Sequence, residues 1–255
     1  MRIARFIPLV VLPLLFSCAA HKTEVPLAEA PAEPLIRALN DHRQSFRSLK
    51  AVAAVQVSRK GRRRSFDSVG VLVRAEDRFK LEAYGPLGQP MYVLLWNGSE
   101  VLHRSLFEPV QRSPKAALAQ LLGADVEPQE LCAVLSGNIP DIAGYDAKAF
   151  CGAGVCALEL RKGDTLRRLR VSSPPAGDGS AVQLLSSELY RGTTLLYRAD
   201  YEAHEVHDGY LLPRRITVSN PERSTALAVE YQDVEVNTAV GDAAFTLDRA
   251  GGTDR

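Results

Sequence analysis

Very short links between strand-like segments leave this chain few folds to choose from. "AVAAVQVS", "SFDSVGVLVR", "RFKLEAYG", "PMYVLLWN" and "EVLHRSLF" follow one another over residues 51–107. They are separated by "KGRRR", "EDR" and the pair Asn97-Gly98, which favours a hairpin turn. Beyond residue 145 come "VCALELRKG", "TLRRLRVSS", "SAVQLLSSELYRG", "TLLYRADYEAHEV", "YLLPRRITVSN" and "TALAVEYQDVEV", with turns such as Lys162-Gly163-Asp164 and His207-Asp208-Gly209. Parallel strands need long crossovers, so links this short specify an antiparallel meander. In "TLLYRADYEAHEV", Leu195, Tyr197 and Tyr201 share one face while Arg198, Asp200, Glu202 and His204 share the other, giving a dry side and a wet side. About eleven such strands make a sheet that has to curl or split.

Helical segments supply the remaining layer. Leu35, Leu39, Phe46 and Leu49 fall on one face of "PLIRALNDHRQSFRSLKA", with Pro34 suited to a first turn. "SPKAALAQLLG" has Ser113 as N-cap, Pro114 at the first position and Gly123 as the stop. "EPQELCAVLSG" repeats that grammar with Pro128 and Gly137. Both are short and amphipathic, suited to covering a sheet face. The expected fold is mainly β with helices: an unclosed antiparallel β-barrel (half-barrel) with a helical lid over an apolar cavity. It occupies residues 34–248 as a single domain, with a disordered tail at 249–255. Val71, Val93, Leu95, Leu118, Leu121 and Leu135 are the candidates to line the cavity or pack its lid.

The N-terminus reads as an export signal. Arg2 and Arg5 precede the eleven-residue run "FIPLVVLPLLF", too short and too interrupted by Pro8 and Pro13 for a permanent membrane span. The run ends in "LFSC", which resembles a bacterial lipoprotein processing site. On that reading residues 1–17 are removed and Cys18 is acylated, becoming the mature N-terminus; an ordinary signal peptide with a chance cysteine is the alternative. Residues 18–33 are then lipidated cysteine and flexible tether, rich in Ala and Pro. Removing 1–17 takes away two arginines and no acids, so 31 cations against 30 anions become 29 against 30. A near-neutral chain gives no reason to expect nucleic acid as a partner.

Three cysteines remain in what would be an oxidising compartment. "CGAGVC" sets Cys151 and Cys156 on either side of a small-residue turn, where a cross-hairpin disulfide is feasible; two thiols are the alternative. Cys132 reads as a buried small hydrophobe on a helix. "HEVHD" (residues 204–208) lacks the helical i,i+4 pairing of a zincin, and no metal site is expected. No G-x-S-x-G and no Gly-rich phosphate loop occurs, so neither an enzyme nor a cofactor is expected. "RKGRRR" (residues 59–64) is either a solvated hairpin tip or a contact for anionic headgroups.

"DRFKLEAYGPLGQPMYVLLWNG" followed by "AALAQLLGADVEPQELCAVLSGNIPD" resembles the LolB family of outer-membrane lipoprotein receptors. That family shows a "DRYR" strand, an "NPLG" loop and two short helices ending in a "LGLPGD"-type segment. The resemblance covers roughly residues 35–142 and is sharpest at 77–98 and 114–141. It implies a half-barrel that binds acyl chains of lipoproteins and helps insert them into the outer membrane. It also implies acylated lipoproteins and a LolA-like periplasmic carrier as partners, and a monomer anchored by its N-terminal lipid facing the periplasm. The membrane-insertion loop would be Pro86, Leu87 and Gly88, with Leu87 the protruding residue, unless that leucine folds back onto its own domain. Gly85 stands where the family has Asn, and Gln89-Pro90 stiffens the exit. A lipid- or lipopeptide-binding envelope sensor on the same fold is the alternative function.

Overall fold

A computed structural model describes residues 27–75, 77–106, 108–112, 118, 126–172 and 182–247. The elements run β1 (Ala28–Ala30), α1 (Glu33–Ser45), β2 (Ser48–Arg59), β3 (Arg62–Arg74), β4 (Arg78–Tyr84), β5 (Pro90–Trp96), β6 (Val101–Ser105) and β7 (Glu108–Arg112). Then come α2 (Pro128–Leu135), β8 (Asp146–Gly152), β9 (Val155–Lys162), β10 (Thr165–Ser172), β11 (Leu184–Arg191), β12 (Thr194–His207), β13 (Tyr210–Asn220) and β14 (Thr225–Val236). Among the described residues all fourteen strands belong to one sheet, in the order β1-β8-β9-β10-β11-β12-β13-β14-β2-β3-β4-β5-β6-β7. Every pairing is antiparallel, and β1 and β7 do not meet, so the sheet curls without closing. It consists of two hairpin meanders, β2–β7 and β8–β14, sewn along the β14–β2 seam from Thr225 opposite Arg59 to Val236 opposite Leu49.

Residues 18–33 are not tether throughout. Ala28–Ala30, bracketed by Pro26 and Pro31, form β1 on the edge of β8, with Ala28 opposite Cys151. An edge strand offers unpaired backbone groups, and a short run without proline can take them up. Cys151 and Cys156 are cross-strand partners in the β8–β9 hairpin and are joined by a disulfide. Cys18, residues 249–255, Leu121 and all of residues 113–123 except Leu118 lie outside the described residues.

The core fills the concave face. α2 is buried on every side from Leu131 to Leu135, Cys132 included, so it plugs the half-barrel and does not merely cover it. Its end is a Schellman motif: Gly137 N–H donates to the Val134 carbonyl (3.1 Å) and Asn138 N–H to the Ala133 carbonyl (2.8 Å). Gly137 takes φ +67°, and a Cβ there would sit 2.4 Å from Pro213 Cδ. α1 closes the same end through Leu35 and Leu39, while Phe46 packs on Tyr210.

His42 of α1 stacks on the Tyr210 ring at 4.5 Å. Burial, and secondarily His204, lower its pKa to about 4 from an ordinary 6.5. The unfolded chain therefore takes up this proton first as pH falls. The contribution is complete above pH 6.5 and drains away toward pH 4, amounting to roughly 2–3 kcal/mol. Urea titrations at pH 7 and pH 4.5 should show this loss, and His42→Phe, which keeps the stack, should remove the part due to His42 and leave that of His204, whose burial also lowers its pKa.

Candidate functional site

Strand register divides the hairpin turns between two ends of the half-barrel. The β2–β3, β4–β5, β6–β7, β9–β10, β11–β12 and β13–β14 links share one end; α1 runs into β2 at the other, where the C-terminal end of α2 meets Tyr210 beside the β12–β13 link. Toward the β2–β3 tip the concave face opens into a cavity of about 750 Å³. Its walls are Val69, Val71, Leu81, Leu94, Leu227 and Val229, with Val55, Val57 and Phe66 nearer the mouth. That volume is in the range of small-molecule sites, and such sites are mostly apolar.

The candidate lining residues fall in three different surroundings. Val71 is on the cavity wall. Leu135 is in the core as part of the plug, and Leu118 is buried beside a small cleft with Trp96, Val126 and Pro128. Val93 and Leu95 are not lining residues. Leu94 and Trp96 belong to the concave core, so the alternation of β5 turns Val93 and Leu95 to the opposite face, where they are nevertheless buried. The continuous apolar run "VLLW" carries no phase, and a one-residue slip exchanges faces.

The β4–β5 loop is a self-contained turn. Gly85 N–H donates to the Gln89 carbonyl (2.8 Å), and Gly88 N–H to the Gly85 carbonyl (2.9 Å). The Gln89 side-chain oxygen accepts from Leu87 N–H (3.1 Å). The Gln89 amide also occupies the space a Cβ at position 85 would need, 2.6 Å away, so Gly85 and Gln89 go together. With its backbone satisfied locally, the loop holds Leu87 outward, 91% exposed. Leu106, 53% exposed, follows β6 at the same end and donates its N–H to the Met91 carbonyl (2.8 Å). Leu87 does not fold back.

Sequence reasoning missed the polar clamp on the plug. Glu130, in the first turn of α2, accepts from Arg167 Nη2 (2.6 Å) and from the Tyr197 hydroxyl (2.6 Å). Arg167 is 2% exposed on β10 and also donates to Tyr197 (3.2 Å). Burial, then the Glu130 carboxylate, hold the Tyr197 hydroxyl well above the usual phenol range. At the other end of α2 the Tyr231 hydroxyl donates to the Leu135 carbonyl (2.6 Å) and Tyr210 to the Ser136 carbonyl (2.7 Å). A glutamate followed by buried-helix residues is the only local signal for this; its partner lies 37 residues on. His204 Nε2 lies 3.0 Å from the Leu184 carbonyl oxygen, a backbone partner and not a metal arrangement.

Three solved structures share this architecture across nearly their whole length. A LolA superfamily protein from Nitrosomonas europaea is 16% identical, with 86% of this chain and 99% of that one covered and a TM-score of 0.59. A DUF1329 family protein from Desulfovibrio piger is 14% identical, covering 84% and 95%, with a TM-score of 0.60. A domain named as an outer membrane lipoprotein-sorting protein, from Vibrio parahaemolyticus, is 12% identical, covering 84% and 97%, with a TM-score of 0.60. The fold is LolA-like. No family model and no curated protein matches the sequence. Within this LolA-like half-barrel, the plug sets the depth of the cavity and the hairpin tips set its mouth.

Proposed function

We propose that this chain is a lipid-anchored protein of the outer membrane, facing the periplasm, that takes acyl chains of lipoproteins into its cavity and helps insert them into the bilayer. The reading rests on one observation: the apolar cavity opens at the end that carries the exposed, internally braced Leu87. Each methylene removed from water is worth about 0.8 kcal/mol, so a sixteen-carbon chain carries about 12 kcal/mol and needs shielding in transit. A LolA-like periplasmic carrier would deliver the chains, and acylated Cys18 would hold the receiver at its membrane. Leu87 adds roughly 1.5–3 kcal/mol when it dips into lipid, enough to orient a tethered domain and too little to anchor it. No bond is made or broken in this role.

Leu87→Glu tests the reading. Its folding stability should stay within about 0.5 kcal/mol of the parent, because an exposed residue contributes little to the core. Binding of an acylated peptide should persist while its transfer into liposomes falls several-fold. Unimpaired transfer by the folded variant would remove Leu87 from the mechanism.

A further inference from the structure

The two arms of the β2–β3 hairpin fall out of step in their middle. Ala53 stands opposite Val69, but the next paired residue of β2 on that face, Val55, stands opposite Phe66. β3 spends three residues where β2 spends two, a bulge across Asp67 and Ser68. Without it, strict alternation from Val69 would turn Asp67, Ser65 and Arg63 toward the cavity. With it, Phe66, Arg64 and Arg62 line the cavity instead, beside Val55, Val57 and Arg59.

The inner face of this ribbon is therefore graded. Phe66, Val55 and Val57 continue the apolar wall, and Arg64, Arg62, Arg59 and Lys60 form a cationic rim at the tip. Arg59 and Arg62 are direct cross-strand partners, an arrangement of like charges that costs stability. None of the four is paired with a carboxylate among the described residues. An acyl chain lying in the cavity would bring whatever it is attached to up against these guanidinium groups. Guanidinium pairs match phosphate oxygens two at a time.

We infer that the cavity mouth is a headgroup site for an anionic phosphate, so that the protein takes up phospholipids of net negative charge by chain and headgroup together. The inference rests on the acyl-chain reading of the cavity and adds the headgroup. The thioether-linked diacylglycerol of a lipoprotein carries no charge, so acyl binding alone gives the rim no task.

Native mass spectrometry tests this on the full chain reconstituted in vesicles of equal phosphatidylglycerol and phosphatidylcholine. Phosphatidylglycerol adducts should exceed phosphatidylcholine adducts by about tenfold, the size of one charge-assisted contact. The double variant Arg62→Gln/Arg64→Gln should bring the two near parity without reducing the phosphatidylcholine adduct. Arg63→Gln removes the same kind of charge from the other face of β3 and should leave the preference intact. Equal adducts with the parent, or an equal loss with Arg63→Gln, would overturn the headgroup site and leave the acyl reading standing. Displacement of the phosphatidylglycerol preference by millimolar inorganic phosphate, with a phosphate adduct in its place, would overturn it in favour of a free-phosphate site. Absence of both lipid adducts would overturn it together with the acyl reading.

Discussion

Glu130→Ala is expected to lower folding stability by about 3–5 kcal/mol, since it leaves a buried cation without its anion. Arg167 is almost completely enclosed, and among the described residues its side chain donates hydrogen bonds to Glu130, Tyr197 and Ser187. The variant also leaves the Tyr197 hydroxyl without its acceptor. Chemical denaturation read by circular dichroism measures the loss. The double variant Glu130→Leu/Arg167→Met should recover most of it, because removing both charges removes the uncompensated one. A single-variant loss below about 1 kcal/mol would mean that water reaches Arg167 and the clamp is not closed.

Gly137→Ala should cost about 2–5 kcal/mol for a different reason. The left-handed backbone at φ +67° charges any Cβ about 1–2 kcal/mol. A Cβ 2.4 Å from Pro213 Cδ then forces β13 or the end of α2 to move, adding overpacking of about 1–3 kcal/mol. Gly163→Ala is the control: φ is also positive, at +60°, but nothing lies within 4 Å of its Cβ position. Its smaller loss, measured in the same denaturation series, isolates the contact with Pro213.

Much of this was legible in the sequence because it is local. Turn pairs such as Asn97-Gly98 and Asp208-Gly209 announce hairpins, and Gly137 announces the end of α2. The Gly-Pro-Leu-Gly loop announces a tight tip with a misplaced leucine, and the tip is where Leu87 stands. The failures come from phase and from distance. "VLLW" is apolar without alternation, so nothing in it tells which of Val93, Leu94 and Leu95 faces the cavity. The bulge at Asp67-Ser68 inverts the phase of β3, and no residue there marks it, so the inward turn of Arg62 and Arg64 could not be read. Glu130, Arg167 and Tyr197 are brought together only by the docking of a helix onto strands 37 and 67 residues away. The strand β1 inside the supposed tether has the same origin, since its partner lies some 120 residues further on.

The seam between the two meanders bears on how the molecule is made. Within each meander almost every strand pairs with its neighbour in sequence, so hairpins can form as fast as they are synthesised. β2 differs: its second partner is the last strand, and Leu49 waits for Val236. Until then one edge of β2 stands open with an apolar face behind it, the condition in which nascent sheets pair with the wrong chain. Completion of the half-barrel is thus a late, long-range closure. Shortening the chain by the strand β14 alone would leave an adhesive intermediate and not a smaller version of the protein.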